Sequence, residues 1–196
     1  MNLANKLTIF RIILVPLMVI VPFFNIQGEF WGIPYTYIII DLIFIIASIT
    51  DKLDGHIARS RNQITTFGKF LDPLADKILV LAAMMMLVEM SKLPAWIPII
   101  VITREFLVSG YRLVAVEKGG TVIAASFWGK LKTVTQMFAV TFALIDINAF
   151  GVCFSGTLTG YAFILNLFVT IMMIIQTIAT VFSGWDYMKG IKELMK

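Results

Sequence analysis

Cysteine and histidine are almost missing from this chain, with one of each, Cys153 and His56, in 196 residues. A lone cysteine excludes an internal disulfide, and a lone histidine excludes a histidine-rich zinc centre. Charge is scarce as well, with Asp, Glu, Lys and Arg making up 14% of the residues. There is no internal repeat, no low-complexity segment and no stretch that reads as a separate soluble domain. What remains is apolar: 59% of residues are hydrophobic and the mean hydropathy is +0.91. A water-soluble domain of this length cannot hide so much apolar surface, so the solvent is a bilayer. The expectation is one membrane-embedded domain over residues 1–196. The net charge of +4 is mild, and no nucleic-acid partner is expected.

Against that background residues 51–76 stand out, because they carry four aspartates, two glycines and several cations. Asp51 and Asp54 are three residues apart, and Asp72 and Asp76 four apart. On helices each pair shares a face, separated by about 60° and about 40° around the axis. Two such helices side by side would aim four carboxylates at one point, where like charges repel unless a cation sits between them. Mg²⁺ and similar hard ions take oxygen ligands and are commonly completed by phosphate. A metal site that handles phosphate is the reading these residues support. Gly55, Ala58 and Gly68 leave room for a ligand or a second backbone, and Arg59 can pair with a phosphate oxygen. His56 falls at a variable position and reads as a bystander. The alternative is a set of solvated charges capping two membrane helices.

The full spacing is Asp51-x2-Asp54-Gly55-x2-Ala58-Arg59-x8-Gly68-x3-Asp72-x3-Asp76. It resembles the signature of the CDP-alcohol phosphotransferases at every fixed position. The resemblance implies the fold of that family and a CDP-linked lipid substrate, here CDP-diacylglycerol. It also implies that Asp51, Asp54, Asp72 and Asp76 hold one or two Mg²⁺ or Mn²⁺ ions, with two the expectation. Asp54, Gly55, Ala58, Arg59 and Gly68 would bind the CDP-diacylglycerol, and Asp76 would take the proton from the attacking hydroxyl.

Six membrane helices are expected. The first is the apolar run 12–24, after a polar start; 23–27 offers no small-residue cleavage site, so it reads as a retained helix rather than a signal peptide. Asn5, Thr8 and Arg11 form one stripe at its start, facing an active site or anchoring the helix at the headgroups. Asn-x2-Thr-x2-Arg is similar to the opening of the family's phosphatidylglycerophosphate synthases, which implies that Asn5 and Thr8 contact CDP-diacylglycerol and Arg11 the acceptor. The second span, 35–50, holds Asp41, for which a protonated or internally bonded structural role is expected. The third covers 78–90, where three consecutive methionines read as flexible packing.

The fourth span opens at Pro94 and Pro98, with Trp96 as an interface anchor. It carries Arg104, Glu105 and Arg112, the arginines about 12 Å apart along the axis. Residues 121–127 read as a linker into the fifth span, which starts with Lys130 and Lys132 and ends near Asp146. Buried cations are costly and need anions, and the chain has few spare carboxylates, so an anionic ligand is the economical partner. Glu105 is a candidate brace for one arginine. Snorkelling to headgroups fits Lys118 and Lys132 better than Arg104. Arg-Glu-Phe-x-Val-Ser-Gly-x-Arg followed by Gly-Lys-x-Lys-Thr-x2-Gln again resembles the phosphatidylglycerophosphate synthases. The implied acceptor is glycerol 3-phosphate, bound by Arg104, Arg112, Lys130, Lys132 and Arg11, with CMP as the second product. The sixth span, 158–183, leads to Trp185, Tyr187 and a basic tail.

With six spans both termini lie on one side, and fifteen of the sixteen Lys and Arg residues lie there too, with only Lys92 opposite. The positive-inside rule makes that side, with the aspartates, cytoplasmic, and the protein a multi-pass protein of the cell membrane. The family also implies a homodimer. Two other functions remain open: a cardiolipin synthase of the same family, with phosphatidylglycerol as acceptor, or an ion or solute transporter, for which intramembrane Asp and Arg would be the signal.

Overall fold

The computed structural model describes residues 3–60, 66–117 and 127–194. The side chains of 3–4, 51–60, 66–70, 72–73, 112–117 and 190–194 fall outside that description. Six long helices account for most of the described chain: α1 (Leu3–Ile20), α2 (Tyr35–Ser60), α3 (Thr66–Glu89), α4 (Trp96–Glu117), α5 (Phe127–Ile145) and α6 (Gly160–Leu194). The contacts divide the chain into two compact units. One holds 1–90 and 143–147, the other 91–142 and 148–196.

In the first unit α1 packs against both α2 and α3. The face it buries runs Asn5, Thr8, Arg11, Leu14, Val15 and Met18, a spacing of three and four that lays one stripe along a helix. Ile40, Phe44 and Ala47 of α2 and Leu79, Ala83, Met84 and Leu87 of α3 are buried as well. Between α1 and α2 the chain reverses through a two-stranded ribbon, Glu29 pairing with Pro34 and Phe30 with Ile33. Its two turn residues, Trp31 at φ 55 and Gly32 at φ 78, both have left-handed backbones. That is the twist a two-residue hairpin requires.

In the second unit α4 packs on α6. α6 is polar inside and apolar outside. Asn166, Thr170, Gln176, Thr180 and Ser183 are fully buried, while Ile164, Ile171, Ile178, Val181 and Phe182 face outward. This inversion suits a helix whose outer face meets lipid, because polar side chains join helices there and apolar ones cost nothing outside. The inner residues also hold a loop. Asn166 accepts from the Cys153 backbone N–H at 2.9 Å and donates to the Ala149 carbonyl at 3.0 Å, and Thr170 accepts from the Gly151 N–H at 3.1 Å. Asn166→Ala removes the first two bonds and strands a buried backbone N–H. A loss of about 2–4 kcal/mol is expected from two such groups, read as a lower midpoint of thermal unfolding in detergent; an unchanged midpoint would refute the staple.

Cys153 is buried and unpaired with any other cysteine, as its solitude required. Two helices among the described residues are long and apolar enough to cross a membrane, Asn5–Phe24 and Gly160–Lys189, with mean hydropathies of 2.4 and 2.2. Tyr35–Thr50 is apolar but shorter. Helix boundaries differ from expectation at both ends of the chain. α1 begins at Leu3, within the polar start, and α6 runs through Trp185 and Tyr187 to Leu194 instead of ending near Ser183. At 35 residues α6 is about 52 Å long, well beyond a hydrocarbon core of about 30 Å. Its basic end is helical, with Lys189 set 5.9 Å from the Trp185 ring one turn back. The linker expected at 121–127 and Lys118 lie outside the described residues, except that Phe127 already belongs to α5.

Candidate active site

The aspartate signature lies across two helices. α2 continues without a break through Asp51, Asp54, Gly55, Ala58 and Arg59, and α3 carries Gly68, Asp72 and Asp76. Helical backbone at both ends puts Asp51 with Asp54 on one face of α2 and Asp72 with Asp76 on one face of α3. Ser60 and Thr66 are six residues apart, so these two helix ends lie within about 23 Å of each other. Of the eight signature residues only Asp76 has a described side chain, and it is half-buried on α3. The side chains of Asp51, Asp54, Gly55, Ala58, Arg59, Gly68 and Asp72 lie outside the described residues. Among the described side chains no group of three acidic, histidine or cysteine residues forms a metal cluster. Four aspartates, paired one turn apart along α2 and α3, are of the residue type that hard divalent ions take as ligands.

The α1 stripe is buried. Asn5 is 8% exposed, Thr8 1% and Arg11 0%. A helix anchored by these groups at the headgroups would show them to solvent or lipid. They face inward instead, on the side of α1 that packs against α2 and α3. Asp41, on α2, is also buried.

The cationic residues of the second unit form a compact network. The Arg104 guanidinium donates through one terminal nitrogen to Glu105 Oε1 at 3.0 Å and through the other to Ser183 Oγ of α6. Lys132 Nζ donates to the same Glu105 oxygen. Glu105 therefore braces two cations, where the sequence suggested one. Among the described side chains, one carboxylate against two cations leaves a net charge of +1. The guanidinium carbon also lies 5.7 Å from the centre of the Tyr187 ring, which meets the Tyr111 ring edge-on at 6.1 Å. The Nε of Arg104 is buried with no hydrogen-bond partner.

Lys130 and Lys132 separate. Two residues along a helix means about 200° around it, so only one of the pair can face inward. Lys132 is buried and Lys130 exposed. The snorkelling alternative for Lys132 does not hold, because the side chain is buried and donates to Glu105. The side chain of Arg112 lies outside the described residues. Ser183 and Tyr187 were missed in the sequence, where they read only as the end of a span. Their spacing of four residues, with Gly184 between, was the available signal.

A cavity of about 660 Å³ in the first unit is separate from this chemistry. Val19 and Phe23 line it with Tyr37 at the start of α2 and Met85 and Glu89 at the end of α3. Tyr37 and Asp51 are about 21 Å apart along α2, so the cavity and the aspartates occupy opposite ends of the helices.

The profile of the CDP-alcohol phosphatidyltransferase family matches residues 1–183. A Bacillus subtilis protein named CDP-diacylglycerol–glycerol-3-phosphate 3-phosphatidyltransferase is 41% identical over all of this chain and 97% of its own length. A Haemophilus influenzae protein of the same name is 38% identical, covering 97% of this chain and 94% of itself. A Mycobacterium tuberculosis protein named probable phosphatidylglycerophosphate synthase is 35% identical over 95% of this chain and 79% of its own. With eight signature positions carried on two adjoining helices and likeness running nearly end to end, this chain belongs to the CDP-alcohol phosphatidyltransferase family.

Proposed function

We propose that the protein transfers the phosphatidyl group of CDP-diacylglycerol to glycerol 3-phosphate, giving phosphatidylglycerophosphate and CMP. The observation that carries this reading is likeness over the whole chain to relatives named for that reaction. The network of Arg104, Glu105 and Lys132 adds to it, because a residual positive charge suits an acceptor with its own phosphate. An uncharged sugar alcohol would want hydroxyl partners instead.

In this reading Asp51, Asp54, Asp72 and Asp76 hold one or two divalent ions, Mg²⁺ or Mn²⁺. When bound, such ions neutralise the diphosphate and stabilise the departing CMP. Arg59 contacts phosphate, while Gly55, Ala58 and Gly68 leave space for the cytidine. Asn5 and Thr8 complete the CDP-diacylglycerol site from α1. Arg104, Arg112 and Lys132 receive the acceptor phosphate, and Arg104 and Lys132 arrive already oriented by Glu105. Asp76 takes the proton of the primary hydroxyl as its oxygen attacks the phosphorus next to diacylglycerol. The new O–P bond forms as the bond to CMP breaks. Positioning and charge dominate phosphoryl transfer, so no serine or cysteine nucleophile is required.

The same reading makes the chain a single catalytic domain with six membrane spans. Both termini and the aspartates face the cytoplasm at the cell membrane, and two copies associate as a homodimer. The inward polar face of α6 and the clustering of Lys and Arg by connection support it.

The test is CMP release by purified protein in detergent, with CDP-diacylglycerol and Mg²⁺ or Mn²⁺, with and without glycerol 3-phosphate. Release is expected to need the acceptor and the metal, to stop with EDTA and to be absent from Asp72→Asn. Release only with phosphatidylglycerol would make the protein a cardiolipin synthase. No release with any acceptor, from folded protein, would return the transporter.

A further inference from the structure

We propose that Ser183 and Tyr187 of α6, together with Glu105 of α4, are positioning residues that hold the Arg104 guanidinium ready for the acceptor phosphate. The inference depends on Arg104 being an acceptor contact, as in the proposed function, and adds how that contact is built.

Arg104 is held from four directions. Its stem crosses Gly184, where a Cβ would stand 3.4 Å from the arginine Cγ. One terminal nitrogen is taken by Glu105 Oε1 and the other by Ser183 Oγ. The face of the group is covered by the Tyr187 ring at 5.7 Å. Ser183 is fully buried and Tyr187 is 5% exposed, so both are set in the packed interior of the second unit and move little. An arginine side chain otherwise carries considerable rotamer freedom, which a ligand must remove on binding. Here α6 removes it in advance. The buried Nε is the one guanidinium nitrogen with no hydrogen-bond partner among the described residues, and its N–H is left for an incoming oxygen.

Ser183 and Tyr187 are uncharged, so their replacement loosens Arg104 without altering the charge of the site. That makes the sign of the effect unambiguous. Replacing Glu105 would loosen Arg104 and raise the positive charge together, with opposing consequences for phosphate.

The experiment is steady-state CMP release by the full chain in detergent, varying glycerol 3-phosphate and CDP-diacylglycerol in turn. For Ser183→Ala the KM for glycerol 3-phosphate is expected to rise about tenfold, the worth of one hydrogen bond to a charged group. The KM for CDP-diacylglycerol and kcat should stay within about twofold. In an Arg104→Ala background the Ser183→Ala effect should disappear, since the serine acts through the arginine. A merely structural serine would lower the thermal midpoint and weaken both substrates alike, with or without Arg104. An unchanged KM for glycerol 3-phosphate, or a penalty that persists without Arg104, overturns the proposal. Should Ser183→Ala fail to fold, Tyr187→Leu decides by the same criteria. If Arg104→Ala itself leaves that KM unaltered, the acceptor reading fails rather than the positioning one.

Discussion

Asp76→Asn is expected to lower kcat by about 10³-fold while the protein keeps its fold. The substitution preserves shape and removes the proton acceptor. General-base catalysis contributes about 10²- to 10⁴-fold, and the attacking hydroxyl of glycerol 3-phosphate is inert until its proton can leave. α3 carries Asp76 one turn beyond Asp72 on the same face. Its side chain is half-buried. Single-turnover CMP release at saturating substrates and Mn²⁺ measures the step. A kcat within tenfold of the parent would move the base to another residue. Repeating the measurement across a Mn²⁺ titration separates two duties of one carboxylate. A lost base lowers the plateau, whereas a lost metal ligand shifts the midpoint.

Arg104→Ala is expected to raise the KM for glycerol 3-phosphate by about 10²-fold. Truncating one partner of a buried, hydrogen-bonded charge pair costs about 2–5 kcal/mol, and a tenfold change corresponds to about 1.4 kcal/mol. Among the described side chains, removing Arg104 would leave Glu105 and Lys132, one charge against one, with no net positive charge for the phosphate. Lysine at the same position should recover only part of the loss, because an ammonium lacks the planar fork that reaches Glu105 and Ser183 together. Initial rates across a range of glycerol 3-phosphate concentrations test both variants. Equal KM values for Arg104→Ala and the parent would remove this arginine from the acceptor site.

Much of this chemistry was legible in the sequence because fixed spacing on a helix is a statement about direction. Asp51 and Asp54, or Asp72 and Asp76, share a face of any helix that contains them, whatever packs around it. The stripe of Asn5, Thr8 and Arg11 followed from the same periodicity. Its inward direction did not, since a polar stripe at a helix start serves headgroups and active sites equally well.

Composition and spacing by themselves determined that this protein is helical and apolar and that its aspartates recur at helical spacing, because those properties reside in single helices. Which cation faces inward was decided only by the tertiary structure. Lys130 and Lys132 are nearly equivalent as sequence, and packing against Glu105 buries one and exposes the other. The role of α6 was decided there too. Ser183 is 79 residues from Arg104, and no local pattern announces their hydrogen bond. Contacts between distant segments depend on how helices lie against one another, and that energy belongs to the packed interior rather than to either strand of sequence.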